Sequence, residues 1–267
     1  MKPETIIDSL SFQVTNLKLY SMIKNLTIIL ISIFTNIIIG NAQDFTASIS
    51  GKQNAIVLTP DNDYKNSFKC GESKIAFNGI VYNTVFFKGK CWLDRNLGAK
   101  SVAKYPKDKE SFGDYYQWGR VADGHEEKRS TPTVLLSEID NPGFSGFILS
   151  TTSPYDWHNP QNNNLWLNDS NSPCPNGWNV ASKNDFDDLL SNSNSSNDLF
   201  NSQLKIPVSG YRNGSSGNIL DEGNRTLLWT SNSSGKKAIA LEVANNQIKQ
   251  KKFARANGMP VRCVKSE

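Results

Sequence analysis

The stretch YYQWGRVADGHE at residues 115–126 concentrates side chains that could do chemistry. Asp123, His125 and Glu126 offer carboxylate and imidazole groups, which are donor types that bind divalent metals. All three stand on one short loop, and the sequence shows no remote fourth ligand. A metal site is therefore one interpretation of this stretch.

A second interpretation of the same stretch is structural, and we favour it because no sequence context supports a metal motif. Tyr115, Tyr116 and Trp118 would fill the core beneath a loop region. Arg120 and Asp123 would satisfy buried carbonyl and amide groups, which seldom remain without partners.

The stretch YDWHNPQNNNLWLND at 155–169 mixes flat aromatic rings with amides, as carbohydrate sites do. Trp157 and Trp166 are the candidate platforms for a sugar ring. Calcium binding through Asp and Asn oxygens stays open, although the Glu-Pro-Asn and Trp-Asn-Asp signatures of calcium-dependent lectins are absent. Buried Trp rings capped by amides are the alternative. The candidate polar partners are Asn159, Asn162 and Asn164.

The motif WLDRN places a carboxylate, a guanidinium and an amide in succession. If it ends a strand, alternation sends Asp94 and Asn96 to one face and Arg95 to the other, so the three form no single catalytic cluster. We expect them to tie the loop region to a sheet through charge-assisted hydrogen bonds. Tyr211 and Arg212 suit the same scaffold role.

The sequence shows no catalytic signature. His125 and His158 permit a triad in principle, but there is no G-x-S-x-G motif to mark a serine nucleophile. Glycoside hydrolysis needs two carboxylates across one cleft, and no such pair stands out. A glycine-rich phosphate loop is also absent. We therefore assign no catalytic residue.

Residues 1–42 read as a secretory signal peptide whose start lies at Met1 or at Met22. The part from Met22 has an early lysine, an apolar run and a small-residue ending at Ala42. A transmembrane anchor is disfavoured because polar residues interrupt a run already short for a bilayer. Residues 43–69 would be a leader strand or linker before the domain at 70–267.

Composition after cleavage argues against nucleic-acid binding. The remaining chain has 26 basic and 23 acidic residues, and no Lys/Arg stripe stands out. The densest basic run, KQKKFAR at 249–255, reads as the solvated face of a strand. We expect no membrane span once the signal peptide is removed, and an extracellular glycan or surface protein as partner.

Four cysteines in an exported chain predict two disulfides, and three pairings are possible. We favour Cys70 with Cys91, because these two flank a local hairpin. Cys174 with Cys263 would then tie a loop in the middle of the chain to the final strand. None of the four has the CxxC spacing typical of zinc or redox sites.

The pattern predicts short strands and few helices. IVYNTVFF and CWLDRNL read as a hairpin around a turn at 88–90, and 101–180 as a packed irregular region. SKNDFDDLLSN is a helix with Ser182 as N-cap, Asp185 in a capping box and Phe186, Leu189 and Leu190 as its apolar stripe. LKIPVSGYR, LLWTS, AIALEVA, QIKQKKFA and PVRCV then read as a strand meander, with turns at Asn245–Asn246 and Asn257–Gly258.

Six blocks over residues 70–265 together resemble the Fibrobacter succinogenes major paralogous domain family. The blocks are CWLDRNLGA, YYQWGRVADGHE, SPCPNGWNVASKNDFDDLL, LKIPVSGYRNGSSG, LLWTS and VRCV. The chain departs from the family pattern where Ala181-Ser182 replaces Pro-Thr and Phe186 replaces Trp. Both departures fall on scaffold positions.

The resemblance implies an exported bacterial protein of a group typical of Bacteroidetes and Fibrobacteres. It also implies an α+β, C-type lectin-like fold, with antiparallel strands, a long irregular loop region and few helices. Relatives of that fold generate formylglycine through a close cysteine pair near the C-terminus, but here Cys263 is the only cysteine after Cys174. We therefore do not carry that activity over.

These observations favour an exported, non-catalytic domain that binds an extracellular ligand, with a glycan or an adhesive contact as the leading expectation. No cofactor is expected, apart from the open question of calcium. The alternatives are a secreted enzyme acting on polysaccharide and a purely structural surface protein. Exposed Trp157 and Trp166 rings would favour glycan binding, and buried rings would favour a scaffold.

Overall fold

A computed structural model describes residues 45–50, 55–60, 68–167, 171–192, 195–244 and 247–266. The predicted signal peptide lies outside these residues. From Thr46 to Glu267 the chain forms one compact unit. In the described ranges, no helix is long and apolar enough to cross a membrane.

The elements of these ranges are mostly short strands, with two α-helices and one 3₁₀ turn at Lys109–Ser111. The helices are α1 (Lys183–Asn192) and α2 (Ser196–Asn201). The strands are β1 (Phe45–Ser50), β2 (Ala55–Pro60), β3 (Lys74–Phe77), β4 (Ile80–Phe87), β5 (Lys90–Leu93), β6 (Tyr116–Gln117), β7 (Pro132–Thr133), β8 (Phe147–Ile148), β9 (Trp178–Val180), β10 (Tyr211–Arg212), β11 (Ile219–Leu220), β12 (Thr226–Ser234), β13 (Lys237–Ala244), β14 (Gln247–Phe253), β15 (Gly258–Met259) and β16 (Cys263–Lys265).

The strands form four sheets, which agrees with an α+β class dominated by β structure. The largest has the order β1-β2-β3-β4-β5-β16-β9, and β11-β10-β15-β6 forms a second sheet. The meander β12-β13-β14 is the third, and the parallel pair β7-β8 is the fourth. The segment 43–69, predicted as a leader strand or linker, contains β1 and β2, and β2 pairs with β3.

Two tight turns build the hairpins of the largest sheet. The predicted hairpin of β4 and β5 is confirmed, with Lys88 and Gly89 both at positive φ (51° and 76°). Asn78 and Gly79 make the same kind of turn between β3 and β4, with φ of 48° and 74°. Two left-handed residues in a two-residue loop match the twist of paired strands.

The predicted C-terminal meander is confirmed only for β12, β13 and β14. Residues 204–210 form no strand, because Pro207 lacks an amide hydrogen for a sheet ladder. Gly258 belongs to β15 rather than to a turn. The final strand β16 leaves the meander and pairs with both β5 and β9. The turn predicted at Asn245–Asn246 lies outside the described residues.

The basic run at 249–255 divides between surface and core. Lys249, Lys251 and Lys252 are exposed on β14, which is the edge strand of its sheet. Arg255, however, is fully buried beyond the end of that strand. The prediction of a solvated strand face therefore holds for the lysines and is wrong for Arg255.

The predicted helix α1 begins with a capping box. The backbone N–H of Ser182 donates to Asp185 Oδ2 at 2.6 Å, and the N–H of Asp185 donates back to Ser182 Oγ at 3.3 Å. Lys90 of β5 adds an ion pair to Asp185 at 2.6 Å. Phe186 is buried against Trp92, while the side chain of Leu189 lies outside the described residues.

Aromatic rings hold the irregular region between β5 and β9, as the sequence predicts. Trp118, Trp157, Trp166 and Trp178 belong to one buried cluster with Trp229 of β12. A second cluster lies on the other side of the meander, where α1 packs. Strands β12 and β13 of the meander are therefore buried on both faces, whereas the edge strand β14 stays largely at the surface.

The two disulfides join Cys70 to Cys91 and Cys174 to Cys263, which is the favoured pairing. The first links the entry to β3 with β5. The second anchors the segment before β9 to the final strand, and both of its cysteines are buried in the aromatic cluster.

Removing the Cys174–Cys263 bridge should destabilise the fold more than removing Cys70–Cys91. The Cys174–Cys263 bridge spans 89 residues of sequence and the Cys70–Cys91 bridge spans 21. Because closing a longer loop removes more chain entropy from the unfolded state, the longer loop should add about 1 kcal/mol more to the free energy of unfolding. Urea unfolding of the two double-alanine variants, followed by Trp fluorescence, checks this. An equal or larger loss for the short loop would contradict the entropic account.

Candidate functional site

Both ring nitrogens of His125 are occupied in the loop after β6. The backbone N–H of Gln117 donates to His125 Nε2 at 3.0 Å, so Nε2 carries no proton. Nδ1 therefore bears the hydrogen and donates to Asp123 Oδ1 at 2.6 Å. Complete burial lowers the pKa of His125 to about 4 and keeps the ring neutral at neutral pH.

Arg120 is wholly buried beside this imidazole. Its Nε and Nη2 donate to Asp123 Oδ2 at 3.2 and 2.8 Å. Its remaining donors reach the side chain of Gln117 and the carbonyls of Gly146 and Phe144. Burial raises the pKa of Asp123, but the hydrogen bonds from His125 and the Arg120 charge outweigh it and bring the pKa below its usual range.

The three predicted metal donors do come together. The ligand atoms of Asp123, His125 and Glu126 lie within 4.8 Å of one another. However, Asp123 already accepts hydrogen bonds from Arg120 on one oxygen and from His125 on the other, and Glu126 Oε2 accepts the N–H of Gly124 at 2.9 Å. A cation would also lie next to the buried guanidinium. The donor set in this arrangement does not fit a metal ion.

Trp157 and Trp166, the predicted sugar platforms, are only 0% and 5% exposed. Each indole N–H donates to a carbonyl of the 115–126 stretch, Trp157 to Trp118 at 2.7 Å and Trp166 to Arg120 at 3.3 Å. Neither ring presents a face to a ligand, so the prediction of stacking platforms is wrong. The physical reason is that loops poor in aliphatic residues bury their aromatic rings as core.

Of the three predicted amide partners, Asn162 is held by contacts to other parts of the protein. Asn159 and Asn164 are exposed, and Asn162 is half-buried. Asn162 Nδ2 donates to both carboxylate oxygens of Asp140 at 3.1 and 3.2 Å, and its Oδ1 accepts the N–H of Asn164 at 2.9 Å. Its carbonyl accepts from the buried Arg255 at 3.1 Å.

The WLDRN residues contact one another rather than alternating across a strand. The strand ends at Leu93, so the prediction that Asp94 and Arg95 face opposite sides is wrong, and Arg95 Nε donates to Asp94 Oδ1 at 2.8 Å. Asn96 Oδ1 accepts from Arg262 Nη2 at 3.0 Å. The Asn96 contact joins the loop after β5 to the residue that precedes β16.

Arg212 of β10 likewise ties a loop to a sheet, here the sheet β11-β10-β15-β6. Its guanidinium donates to the carbonyls of Glu127 and Ser130 at 3.2 and 2.7 Å. It lies 4.0 Å from the ring centroid of Phe147, which is a cation–π contact. Tyr211, next to it, is half-buried.

A cavity of about 210 Å³ lies where four segments meet: the β3–β4 hairpin, the loop after β5, the residues that lead into β6 and the loop after β6. Its floor is buried and aromatic, whereas Asn78 and Glu127 are exposed at its rim. The lining residues are Phe77, Asn78, Ile80, Tyr82, Leu97, Gly98, Asp114, Tyr116, Glu126 and Glu127.

Two polar groups of the cavity receive no hydrogen bond from the residues that the structure describes. Tyr116 is 2% exposed, and its hydroxyl bonds to nothing in the part of the chain that the structure describes. The same holds for the carboxylate of Asp114, whereas the hydroxyl of Tyr82 accepts the N–H of Gly98 at 2.9 Å. Only glycine fits there, because a Cβ on Gly98 would lie 1.8 Å from Asp114 Oδ2.

The cavity carries an excess of negative charge. Burial raises the pKa of Asp114 to about 7, and the charges of Glu126 and Glu127 add to this while Lys128 opposes it. Burial also raises the pKa of Glu126. The pKa of Tyr116 is raised well above its usual value, by burial first and then by Asp114 and Glu126. Tyr116 is itself one of the residues that line the cavity.

Of the cavity residues, only Glu126 is a predicted site residue. The dipeptide Asn78-Gly79 between apolar runs is a hairpin signal that locates one wall. No sequence signal brings that turn to Gly98 and Asp114, because these residues are separated in the chain and meet only through the fold.

Comparisons with protein-family models, curated proteins and solved structures find no match. The family resemblance of the sequence therefore stays a prediction. The site rests on its own geometry and chemistry.

Replacing His125 with Gln should reduce the loss of stability on acidification. The unfolded ring binds a proton near pH 6.5 and the folded ring only near pH 4, so wild-type stability falls as the pH drops between these values. We expect the wild-type free energy of unfolding to fall faster than that of the variant, by up to about 1 kcal/mol per pH unit. Urea titrations across this range check it, and parallel profiles would contradict the buried neutral ring.

Asp114→Asn should stabilise the protein above neutral pH. The folded pKa of about 7 exceeds the unfolded value, so the carboxyl contributes stability at low pH that is lost as the pH rises through 7. We expect the variant to unfold with a free energy about 1 to 3 kcal/mol larger than wild type at mildly alkaline pH, after allowance for solvent screening. The difference should vanish in acid. A variant less stable at alkaline pH would contradict this.

Proposed function

We propose that the chain is an exported, non-catalytic domain that binds an extracellular ligand, with the cavity beside Asp114 as its site. A buried aromatic floor and a few convergent polar groups are typical of small-ligand sites. The Tyr116 hydroxyl and the Asp114 carboxylate are available to a ligand because no described residue forms a hydrogen bond with them.

The observation that carries this proposal is the unfavourable position of Asp114. Its carboxylate is largely buried, has no hydrogen bond from the described residues and lies near two further acids. Such a group weakens the folded state, and strongly perturbed acids in a cleft are candidates for function. A scaffold role would be served better by a neutral side chain.

The same proposal includes that the chain is exported and that it belongs to the family its sequence resembles. The two disulfides agree with an oxidising compartment. Membership of the Fibrobacter succinogenes major paralogous domain family would make this a C-type lectin-like domain, secreted, periplasmic or at the cell surface. A glycan is then the first ligand to test, because aromatic rings and carboxylates together bind sugar rings and hydroxyl groups.

Hydrolysis of polysaccharide is the second candidate function, and one observation favours it. A carboxyl with a pKa of about 7 suits a general acid at neutral pH, and Glu126 lines the same cavity. Release of reducing ends by wild type, lost in Asp114→Asn, would favour the enzyme. Binding without release would favour the binding domain.

The test of the binding function is a panel of plant, algal and microbial polysaccharides, offered to the oxidised protein with calcium and with a chelator. We expect saturable binding that Tyr116→Phe weakens about three- to tenfold, since one hydrogen bond is lost. Tyr105 is exposed and lies outside the cavity lining, so Tyr105→Phe is the matched control.

Two results would contradict the cavity as the site. One is the absence of binding to any member of the panel by folded protein. The other is binding that Tyr116→Phe leaves unchanged. The chelator arm reports separately whether calcium contributes.

A further inference from the structure

We infer that the cavity beside Asp114 selects a sugar unit that carries a free, protonated primary amine over its neutral, N-acetylated counterpart. The inference rests on the proposed function and specifies its ligand class. The observations behind it are the charge, the donor and acceptor inventory and the size of the cavity.

Charge is the first observation. Asp114, Glu126 and Glu127 line the cavity, and none of its lining residues is basic. The cation that lowers the pKa of Asp114 is Lys128, whose ammonium is already paired with Glu222 at 2.8 Å. The cavity therefore lacks a cation of its own.

A second cation borders the cavity but is also engaged. The Arg95 guanidinium lies 5.4 Å from the ring centroid of Tyr82 and is paired with Asp94 at 2.8 Å. It covers one side of this ring without neutralising the Asp114 carboxylate. A cationic ligand would supply the missing charge, and an anionic sugar would be repelled.

The acceptors fit an ammonium group better than a hydroxyl. An ammonium has three donors and no acceptor. The Asp114 carboxylate and the Tyr116 hydroxyl oxygen are acceptors without a partner among the described residues, and Tyr116 and Phe77 add aromatic surface that attracts cations. A neutral hydroxyl would satisfy one hydrogen bond and leave the buried charge uncompensated.

The volume limits the ligand to one small unit. At about 210 Å³, the cavity is smaller than the sites of drug-sized ligands, which start at about 300 Å³. The exposed rim at Asn78 and Glu127 leaves room for a chain to continue into solvent. One terminal or side-branch sugar is the matching occupant.

The test compares a glucosamine oligosaccharide with its fully N-acetylated form and with lysine amide, by calorimetry at neutral pH on the oxidised protein. Because hydrogen bonds to charged groups are the strong ones, we expect the free amine to bind about ten- to hundredfold more tightly than the acetylated form. Asp114→Asn should abolish this preference.

Two further variants keep the result interpretable. Glu127→Gln removes a charge at the exposed rim and should weaken amine binding about twofold without harming the fold. Glu138→Gln removes a charge that is also exposed but lies outside the cavity lining, and it should change nothing.

The failures of the two proposals are distinguishable. Equal binding of both oligosaccharides, still weakened by Tyr116→Phe, overturns the amine preference and leaves the binding site intact. Tight binding of lysine amide without binding of the glucosamine oligosaccharide overturns the sugar assignment. A preference that survives Asp114→Asn overturns the role of that carboxylate.

Discussion

Buried guanidinium groups hold the irregular loops of this protein to its sheets. Arg120, Arg212, Arg255 and Arg262 are all at most 2% exposed. Loops without regular structure leave carbonyl groups that must find donors when they are buried. Each of these arginines donates to carbonyls of segments far from it in the chain.

Arg262 shows how such a charge is accommodated. It donates to Asn96 Oδ1 and to the carbonyls of Leu93 and Leu204 at 2.9 to 3.3 Å. Burial lowers its pKa to about 10, which still leaves it charged at neutral pH. Removing its partners would leave an uncompensated buried charge. The hydrogen bonds from Arg262 to Asn96 therefore fix the loop after β5, which forms one wall of the cavity.

The sequence predicts the features that depend on local pattern. The turn at Lys88 and the capping box at Asp185 follow from signals a few residues long, and the disulfide pairing follows from the elements that the cysteines flank. The direction of side chains in irregular segments does not follow from pattern. Trp157 therefore reads equally well as a platform or as core, and only its burial decides.

The cavity itself is beyond the reach of local pattern. Asp114 precedes a stretch that attracts attention through its histidine and carboxylates, yet those groups satisfy one another. What distinguishes Asp114 is that no described residue donates a hydrogen bond to its carboxylate, and only the fold shows which residues surround it. The Asp114 carboxylate, which no sequence motif marks, is thus the group that is open to a ligand.

The most direct test of this account is the titration of the Asp114 side-chain carboxyl by carbon-13 NMR. We predict a pKa of about 7, because the group is largely buried near Glu126, Glu127 and an aromatic floor without a hydrogen bond from the described residues. An ordinary value of about 4 would mean that water or another group stabilises the carboxylate. That result would contradict the cavity as a prepared site for a ligand.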